Sequence, residues 1–123
     1  MANLRELTEK LLQTREANEG MGGPERVARQ HARGKLDARE RLRRLFDPGT
    51  FQELGILASH QGQLPEEWER PSPADGVLCG IGEIDGRPVC GAIYDFTVFG
   101  GSLGEVGERK VARLRELALR DRL

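Results

Sequence analysis

The chain has 123 residues, a formal net charge of −1 and a mean hydropathy of −0.54. The length suits one small domain, and the balanced charge creates no overall field that would favour nucleic acid or an anionic membrane. The N-terminus is charged and amphipathic, and no apolar run reaches membrane length. We therefore expect a cytoplasmic protein with neither nucleic acid nor membrane as a partner.

The first predicted element is an amphipathic helix over residues 3–18. Its leucines recur at helical spacing and need a surface to pack against: Leu4, Leu7, Leu11 and Leu12. A glycine-rich break follows, and Pro24 can occupy the first turn of a second helix that ends near Gly34.

A third helix is predicted to begin at Asp37, which with Glu40 has the spacing of a capping box. This helix should carry Leu42 and Leu45 inward. It should end at the Asp-Pro-Gly turn of residues 47–49.

Strands are predicted in the second half. Residues 51–54 form a short candidate strand, and a long polar loop over residues 55–74 contains Trp68, which we expect to anchor onto another surface. Two clearer strands, residues 77–84 and 87–96, flank an Asp-Gly pair typical of a primed hairpin turn.

The two cysteines, Cys79 and Cys90, lie in these two strands, where they are either buried thiols or a cross-strand disulfide. No Cys/His cluster indicates a metal site, because His31 and His60 lack ligand spacing.

The most informative stretch is DFTVFGGSLGE, residues 95–105. It predicts a strand end, a diglycine turn that permits positive φ, and a helix over residues 103–121 whose N-terminus Ser102 and Glu105 would cap. The inner face of this helix would hold four apolar residues: Leu103, Val106, Leu114 and Leu117. Gly104 and Gly107 in its first turn indicate a close approach by a strand, a ligand or another chain.

A helix N-terminus after a glycine turn suits a phosphate or a developing oxyanion, although the same pattern also occurs in plain βα corners. Asp95 could act as a base, but its place beside a turn favours a carboxylate that caps backbone amides. The chain has no recognisable nucleophile, triad or Walker loop. The residues alone therefore indicate a binding edge without catalytic side chains.

Three motifs, in this order, carry a resemblance to a known family: HARGKLDARERLRRLFDPGTFQEL (residues 31–54), DGVLCGIGEIDGRPV (75–89) and DFTVFGGSLGE (95–105). The chain resembles the carboxyltransferase subunits of biotin-dependent acyl-CoA carboxylases, such as the β subunits of propionyl-CoA carboxylase. The resemblance implies an α/β, crotonase-like spiral of ββα units. The present chain would contain an N-terminal helical segment (residues 1–50) and the first ββα part (51–123), which is an incomplete piece of that fold.

The resemblance further implies transfer of carboxylate from carboxybiotin, held on a partner protein, to the α-carbon of an acyl-CoA. Backbone amides would stabilise the enolate, so that no catalytic side chain is required. Residues matching the family's corner beside the acyl-CoA are Phe96, Thr97, Val98, Phe99, Gly100, Gly101 and Ser102. Residues matching its basic motif, assigned to CoA phosphates or a subunit contact, are Arg33, Gly34, Lys35, Arg39 and Arg41; plain surface charge is the alternative.

The rest of the active site would lie on a missing segment or on a partner chain, in a complex with biotin carboxylase and the biotin carrier. Two alternatives stay open. One is a biotin-dependent decarboxylase component acting on malonyl- or methylmalonyl-CoA. The other is a non-catalytic split subunit that scaffolds a carboxylase complex.

Overall fold

The computed structural model describes residues 1–60, 71–102 and 104–123. Its regular elements are α1 (Leu4–Glu19), α2 (Pro24–Ala32), α3 (Ala38–Leu45), β1 (Gln52–Leu54), β2 (Val77–Ile84), β3 (Arg87–Tyr94) and α4 (Glu105–Asp121), with 3-10 turns at Pro73–Gly76 and Phe99–Gly101. This order of helices, strands and a final helix confirms the predicted α/β class. Trp68, half of its loop (residues 61–70) and the inward position predicted for Leu103 lie outside the described residues.

Local capping sets the start of α3. The Glu40 amide donates to Asp37 Oδ1 at 2.9 Å, and the Asp37 amide donates to Glu40 Oε2 at 3.1 Å. This reciprocal pair is the capping box that the sequence predicted. Leu42 is buried as expected, but the prediction for Leu45 was wrong: it is 51% exposed, because the next residue, Phe46, turns into the core instead.

The sheet is antiparallel in the order β1-β2-β3. Asp85 and Gly86 both have positive φ, 51° and 77°, which confirms the primed turn. Cys79 lies opposite Ala92, so it does not face Cys90 in the ladder. Both cysteines are free thiols, and the disulfide alternative is therefore wrong. Burial raises the pKa of each thiol.

The turn between β2 and β3 is held by a side chain from a distant part of the chain. The carboxylate of Asp47, just after α3, accepts the amides of Asp85 at 3.0 Å and Gly86 at 2.9 Å. The Asp47 amide in turn donates to the Glu83 carbonyl at 2.8 Å. The turn after α3 and the hairpin turn therefore form one unit.

One face of the sheet packs against the N-terminal helical segment. The buried residues of this layer come from both halves of the chain: Met21, Ala38, Leu42, Phe46, Ala74, Leu78 and Val98. The Phe46 ring lies against Gly82 and Gly91, where an added Cβ would come within 2.6 and 2.7 Å of ring atoms. Strand glycines thus make room for the aromatic ring at the centre of the core.

The opposite face packs against α4 through Val77, Cys79, Val111 and Leu114. Leu114 belongs to the predicted inner face. The sheet therefore lies between two layers, with the N-terminal helices on one side and α4 on the other.

Helix α1 contributes little to either layer. Its four leucines are between 51% and 80% exposed, so no described residue covers the predicted stripe. The helix is tied to the rest of the chain near its C-terminal end, where Asn18 Nδ2 donates to the Ile56 carbonyl at 3.0 Å. Among the described helices, none combines the length and apolar character needed to cross a bilayer.

Candidate functional site

The predicted corner follows β3 directly. Asp95 is 2% exposed, and its amide donates to the Gly76 carbonyl at 2.9 Å instead of continuing the strand ladder. Its carboxylate accepts the Thr97 amide at 2.8 Å and the Thr97 hydroxyl at 2.6 Å. Asp95 therefore caps the corner, as its sequence position favoured, and β3 ends at Tyr94 rather than Phe96.

The corner has an unusual backbone. Phe99, Gly100 and Gly101 have φ values of 48°, 62° and 81°. Left-handed φ is ordinary for glycine, but for a residue with a Cβ it costs about 1–2 kcal/mol. Phe96 is 55% and Phe99 37% exposed, so this strained bend presents two aromatic rings at the surface. Strain of this kind is typical of functional sites.

The predicted capping box of Ser102 and Glu105 is wrong. Helix α4 begins at Glu105 with Gly104 as its N-cap and has no side-chain cap from Ser102. The amide of Gly107, in the first turn, donates to Asp75 Oδ2 at 2.6 Å. The chain's own Asp75 carboxylate thus lies at this N-terminus, which favours the plain βα corner that the sequence pattern also allowed.

The turn that carries Asp75 is fixed from the same helix. Lys110 Nζ donates to the carbonyls of Ala74 and Val77, each at 2.6 Å, and burial lowers the pKa of this lysine. Gly104 permits the contact, because an added Cβ would lie 2.7 Å from Asp75 Oδ2. The close approach predicted at the first-turn glycines is thus made by an earlier turn of the chain.

Helix α2 lies opposite the corner, and a cleft of about 410 Å³ separates them. Its lining consists of Arg26, Arg29, Gln30, Arg33, Phe96, Thr97, Phe99 and Gly100. The three arginines have the spacing i, i+3 and i+7, which places them on one face of the helix. Cations on one wall thus face aromatic rings on the other, and none of the acidic residues that the structure describes is part of the lining.

This cleft brings together residues from two predicted motifs. Arg33, from the basic motif, joins four corner residues that the sequence predicted at an acyl-CoA site: Phe96, Thr97, Phe99 and Gly100. Three other corner residues, Val98, Gly101 and Ser102, are not part of the lining. Val98 is 1% exposed and packs in the core, so it anchors the corner to the rest of the fold.

The remaining basic residues lie elsewhere. The Arg39 guanidinium forms a bidentate ion pair with Glu53, in which Nη1 lies 2.6 Å from Oε2 and Nη2 lies 3.2 Å from Oε1. Its Nε also donates to the Glu19 carbonyl. This arginine is therefore engaged within the chain. Lys35 and Arg41 are exposed and do not line the cleft.

Sequence reasoning missed Arg26, Arg29 and Gln30 as lining residues. A signal was present in the arginine spacing, since residues at i, i+3 and i+7 share a face of a helix. Arg29 also lies 3.9 Å from Glu25, but both side chains are more than two-thirds exposed, so this pair constrains the guanidinium weakly.

A cluster of three ionisable side chains joins the end of α2 to the start of α3. His31 Nε2 lies 2.9 Å from Asp37 Oδ2 and 3.1 Å from Glu40 Oε2. The hydrogen bond to Asp37 is the main reason that the pKa of His31 is raised. Desolvation works to raise the pKa of Asp37, but the Glu40 amide and the imidazole outweigh it, so that pKa is lowered.

Among the described residues, this group alone has the arrangement that could hold a metal ion, since its three ligand atoms lie within 4.8 Å of one another. Both carboxylates, however, already accept amides of the capping box. We therefore interpret it as an ion-paired junction between two helices.

Comparison with known proteins identifies the family. A model of the carboxyl transferase domain matches residues 29–123. The chain belongs to this family. The match covers α3, the whole sheet, the corner and α4, and it confirms the resemblance carried by the three motifs.

Among curated proteins, the methylmalonyl-CoA carboxyltransferase 12S subunit of Propionibacterium freudenreichii subsp. shermanii is 47% identical over 111 residues, covering 90% of this chain and 21% of the relative. The methylmalonyl-CoA decarboxylase subunit alpha of Veillonella parvula is 41% identical over 120 residues, covering 98% and 24%. The chain thus spans between a fifth and a quarter of the length of these two relatives.

Among solved structures, the transcarboxylase 12S structure with methylmalonyl-coenzyme A and methylmalonic acid bound matches with a TM-score of 0.89 and 43% identity. It covers 98% of this chain and 24% of that one, and is described as a hexamer assembly. The predicted crotonase-like class is confirmed, with helices followed by a partial α/β unit.

Proposed function

We propose that this chain forms part of a biotin-dependent acyl-CoA carboxyltransferase and that the cleft between α2 and the corner binds the CoA portion of the substrate. The observation that carries this proposal is the facing arrangement of Arg26, Arg29 and Arg33 with Phe96 and Phe99. CoA offers what these groups recognise, namely phosphates and a purine ring.

The two walls suit the two parts of a nucleotide. Guanidinium groups bind phosphate oxygens through paired, charge-assisted hydrogen bonds. Exposed phenyl rings offer a stacking surface for a base, which is worth about 1–3 kcal/mol per base. The cleft volume of about 410 Å³ lies within the usual range of ligand pockets and can take part of a CoA molecule.

The chain would contribute binding and orientation to the reaction. No described side chain is arranged as a nucleophile with a base. Asp95, the best candidate base, already accepts hydrogen bonds from the amide and the hydroxyl of Thr97. Enolate stabilisation by backbone amides would come from segments beyond this chain. Biotin, carried on a partner protein, would deliver the carboxylate, and we assign no described residue to it.

We propose the two predicted segments, 1–50 and 51–123, as the two walls of the site, since the first supplies the arginines and the second the corner. The remaining carboxyltransferase parts, biotin carboxylase and the biotin carrier would complete an oligomeric complex. The cytoplasm is the compartment we propose, because Cys79 and Cys90 remain free thiols.

A decarboxylase component is the second candidate, and the Veillonella relative supports it. CoA binding would be shared by both, so the direction of carboxylate transfer must be tested separately. A scaffolding role without ligand would depend on the uncovered leucines of α1. That role predicts no CoA binding by the cleft.

The test is calorimetric titration of CoA into the full chain, with variants of matched type. Arg29→Ala, in the cleft, should weaken binding about tenfold through lost phosphate contacts. Arg43→Ala, an exposed arginine of α3 outside the cleft, should stay within about twofold. Absence of CoA binding, or equal losses in both variants, would refute the proposed site.

A further inference from the structure

The two walls of the cleft are joined by one buried hydroxyl. Thr97 is 5% exposed, and its Oγ1 donates to Asp95 Oδ1 at 2.6 Å. The same oxygen accepts the amide of Gly22 at 3.2 Å. A single side chain of the corner is thus bonded both to the buried carboxylate beneath it and to the turn that begins α2.

The contact between the backbones at this point is unusually close. A Cβ added to Gly22 would lie 2.1 Å from the Thr97 carbonyl oxygen. Any larger residue would have to push the turn and the corner apart. The position therefore needs glycine for space, which indicates that the spacing of the two segments is fixed here.

Helix α2 has few other means of support. None of its residues is buried. Its C-terminal end is held by the ion-paired junction of His31 with Asp37 and Glu40. Its N-terminal end follows Met21, which is anchored in the core, and the Gly22–Thr97 hydrogen bond. The arginine wall (Arg26, Arg29 and Arg33) is thus held at its two ends rather than along its length: to the corner at its N-terminal end and to α3 at its C-terminal end.

From this arrangement we propose that Thr97 is a positioning residue: the Asp95–Thr97–Gly22 relay sets the distance between the arginine wall and the aromatic corner. Thr97 acts through α2, and the effect on ligand rests on the proposed CoA function. Removing the hydroxyl leaves the Gly22 amide without its acceptor and the Asp95 carboxylate with one donor fewer. The arginines then lose their fixed distance from the rings.

Thr97→Val removes the hydroxyl at nearly constant shape, and Thr97→Ser restores it. Hydrogen exchange on the full chain measures the attachment without any ligand. In Thr97→Val, protection of the α2 amides should fall about tenfold, the equivalent of one lost hydrogen bond of about 1.4 kcal/mol. Thr97→Ser should retain protection within about twofold.

A matched control is available in Thr50, which is a bridging hydroxyl of the same kind. Its Oγ1 donates to the Asp47 carbonyl at 2.7 Å and accepts the Glu83 amide at 3.0 Å, and Thr50 does not line the cleft. Thr50→Val should leave α2 exchange unchanged. Gly22→Ala provides a second route, because it separates the walls while the Asp95–Thr97 bond stays intact.

CoA titration of the same variants completes the experiment. Affinity should fall about tenfold in Thr97→Val and Gly22→Ala, and stay within about twofold in Thr97→Ser and Thr50→Val. Unchanged α2 exchange in both Thr97→Val and Gly22→Ala would overturn the relay, even if wild-type chain binds CoA. If α2 exchanges faster in these two variants but the wild-type chain binds no CoA, the relay is upheld and the proposed function is refuted instead.

Discussion

Replacing Asp75 should release the N-terminus of α4. The Asp75 carboxylate accepts the Gly107 amide at 2.6 Å and is 4% exposed. Loss of a helix cap costs about 0.5–2 kcal/mol, and a buried donor left without a partner costs about 1–3 kcal/mol. Both ranges describe the loss of the same Asp75–Gly107 hydrogen bond, so they are not added. We take about 2 kcal/mol as the loss of stability on removing the carboxylate.

Backbone conformation adds to this value. Asp75 has φ of 46°, in the left-handed region that Asn and Asp tolerate better than Ala. Asp75→Ala should therefore lower the free energy of unfolding by about 3 kcal/mol, counting about 1 kcal/mol for the left-handed residue. Asp75→Asn, which keeps an oxygen acceptor and the favoured backbone, should lose only about 1 kcal/mol.

Urea unfolding of the full chain, followed by circular dichroism, gives these values. Glu108→Ala is the control, because Glu108 is an exposed acid of the same first turn and should cost no more than about 0.5 kcal/mol. If Asp75→Ala cost no more than Glu108→Ala, the carboxylate would not be the cap of α4.

Three further outcomes are expected. A double-mutant cycle on Arg39 and Glu53, whose side chains are 21% and 14% exposed, should give a coupling of about 1–2 kcal/mol in urea unfolding, and a value near zero would contradict the ion pair. His31 should titrate above its ordinary pKa of 6.5 when its ring protons are followed by NMR. Its stabilising effect on the fold should be complete below pH 6.5 and should be lost as the pH rises through the raised pKa. A titration midpoint at or below 6.5 would be evidence against the junction. Gly82→Ala should lower stability by about 1–3 kcal/mol, because its Cβ would lie 2.6 Å from the Phe46 ring, and a neutral thermal shift would show that the core can accommodate it.

Features encoded within a few residues could be predicted from the sequence. The capping box at Asp37 and the primed turn at Asp85 are local, since each uses partners at most three residues apart. Their residue types are sufficient to fix the geometry. Most helix and strand positions followed from the same local signals, whereas the predicted β3 and α4 were each two residues too long at the corner.

Features that depend on distant contacts could not be predicted. Ser102 and Glu105 have the same spacing as a true capping box, yet Asp75, about thirty residues earlier, takes the helix amide. Leu45 fits a helical apolar stripe, yet Phe46 fills the space in the core. In each case a competing partner, visible only in the folded chain, decides the outcome.

The candidate site shows the same division. The family motif located the corner of residues 96–102, and the basic motif located Arg33. The cleft itself depends on how α2 lies against the corner, which Gly22 and Thr97 determine through a contact 75 residues apart. Arg26 and Arg29 therefore became visible as lining residues only once that contact was known.

The hydrogen bonds that the amides of Asp85 and Gly86 donate to Asp47 lead us to expect an unusual order of folding. A hairpin usually closes early, because its contacts are short in sequence. Here the bend obtains its acceptor from a residue 38 positions upstream. A peptide of residues 77–94 would lack that carboxylate and should fray in water, whereas in the whole protein we expect the hairpin and the end of α3 to become ordered in the same step.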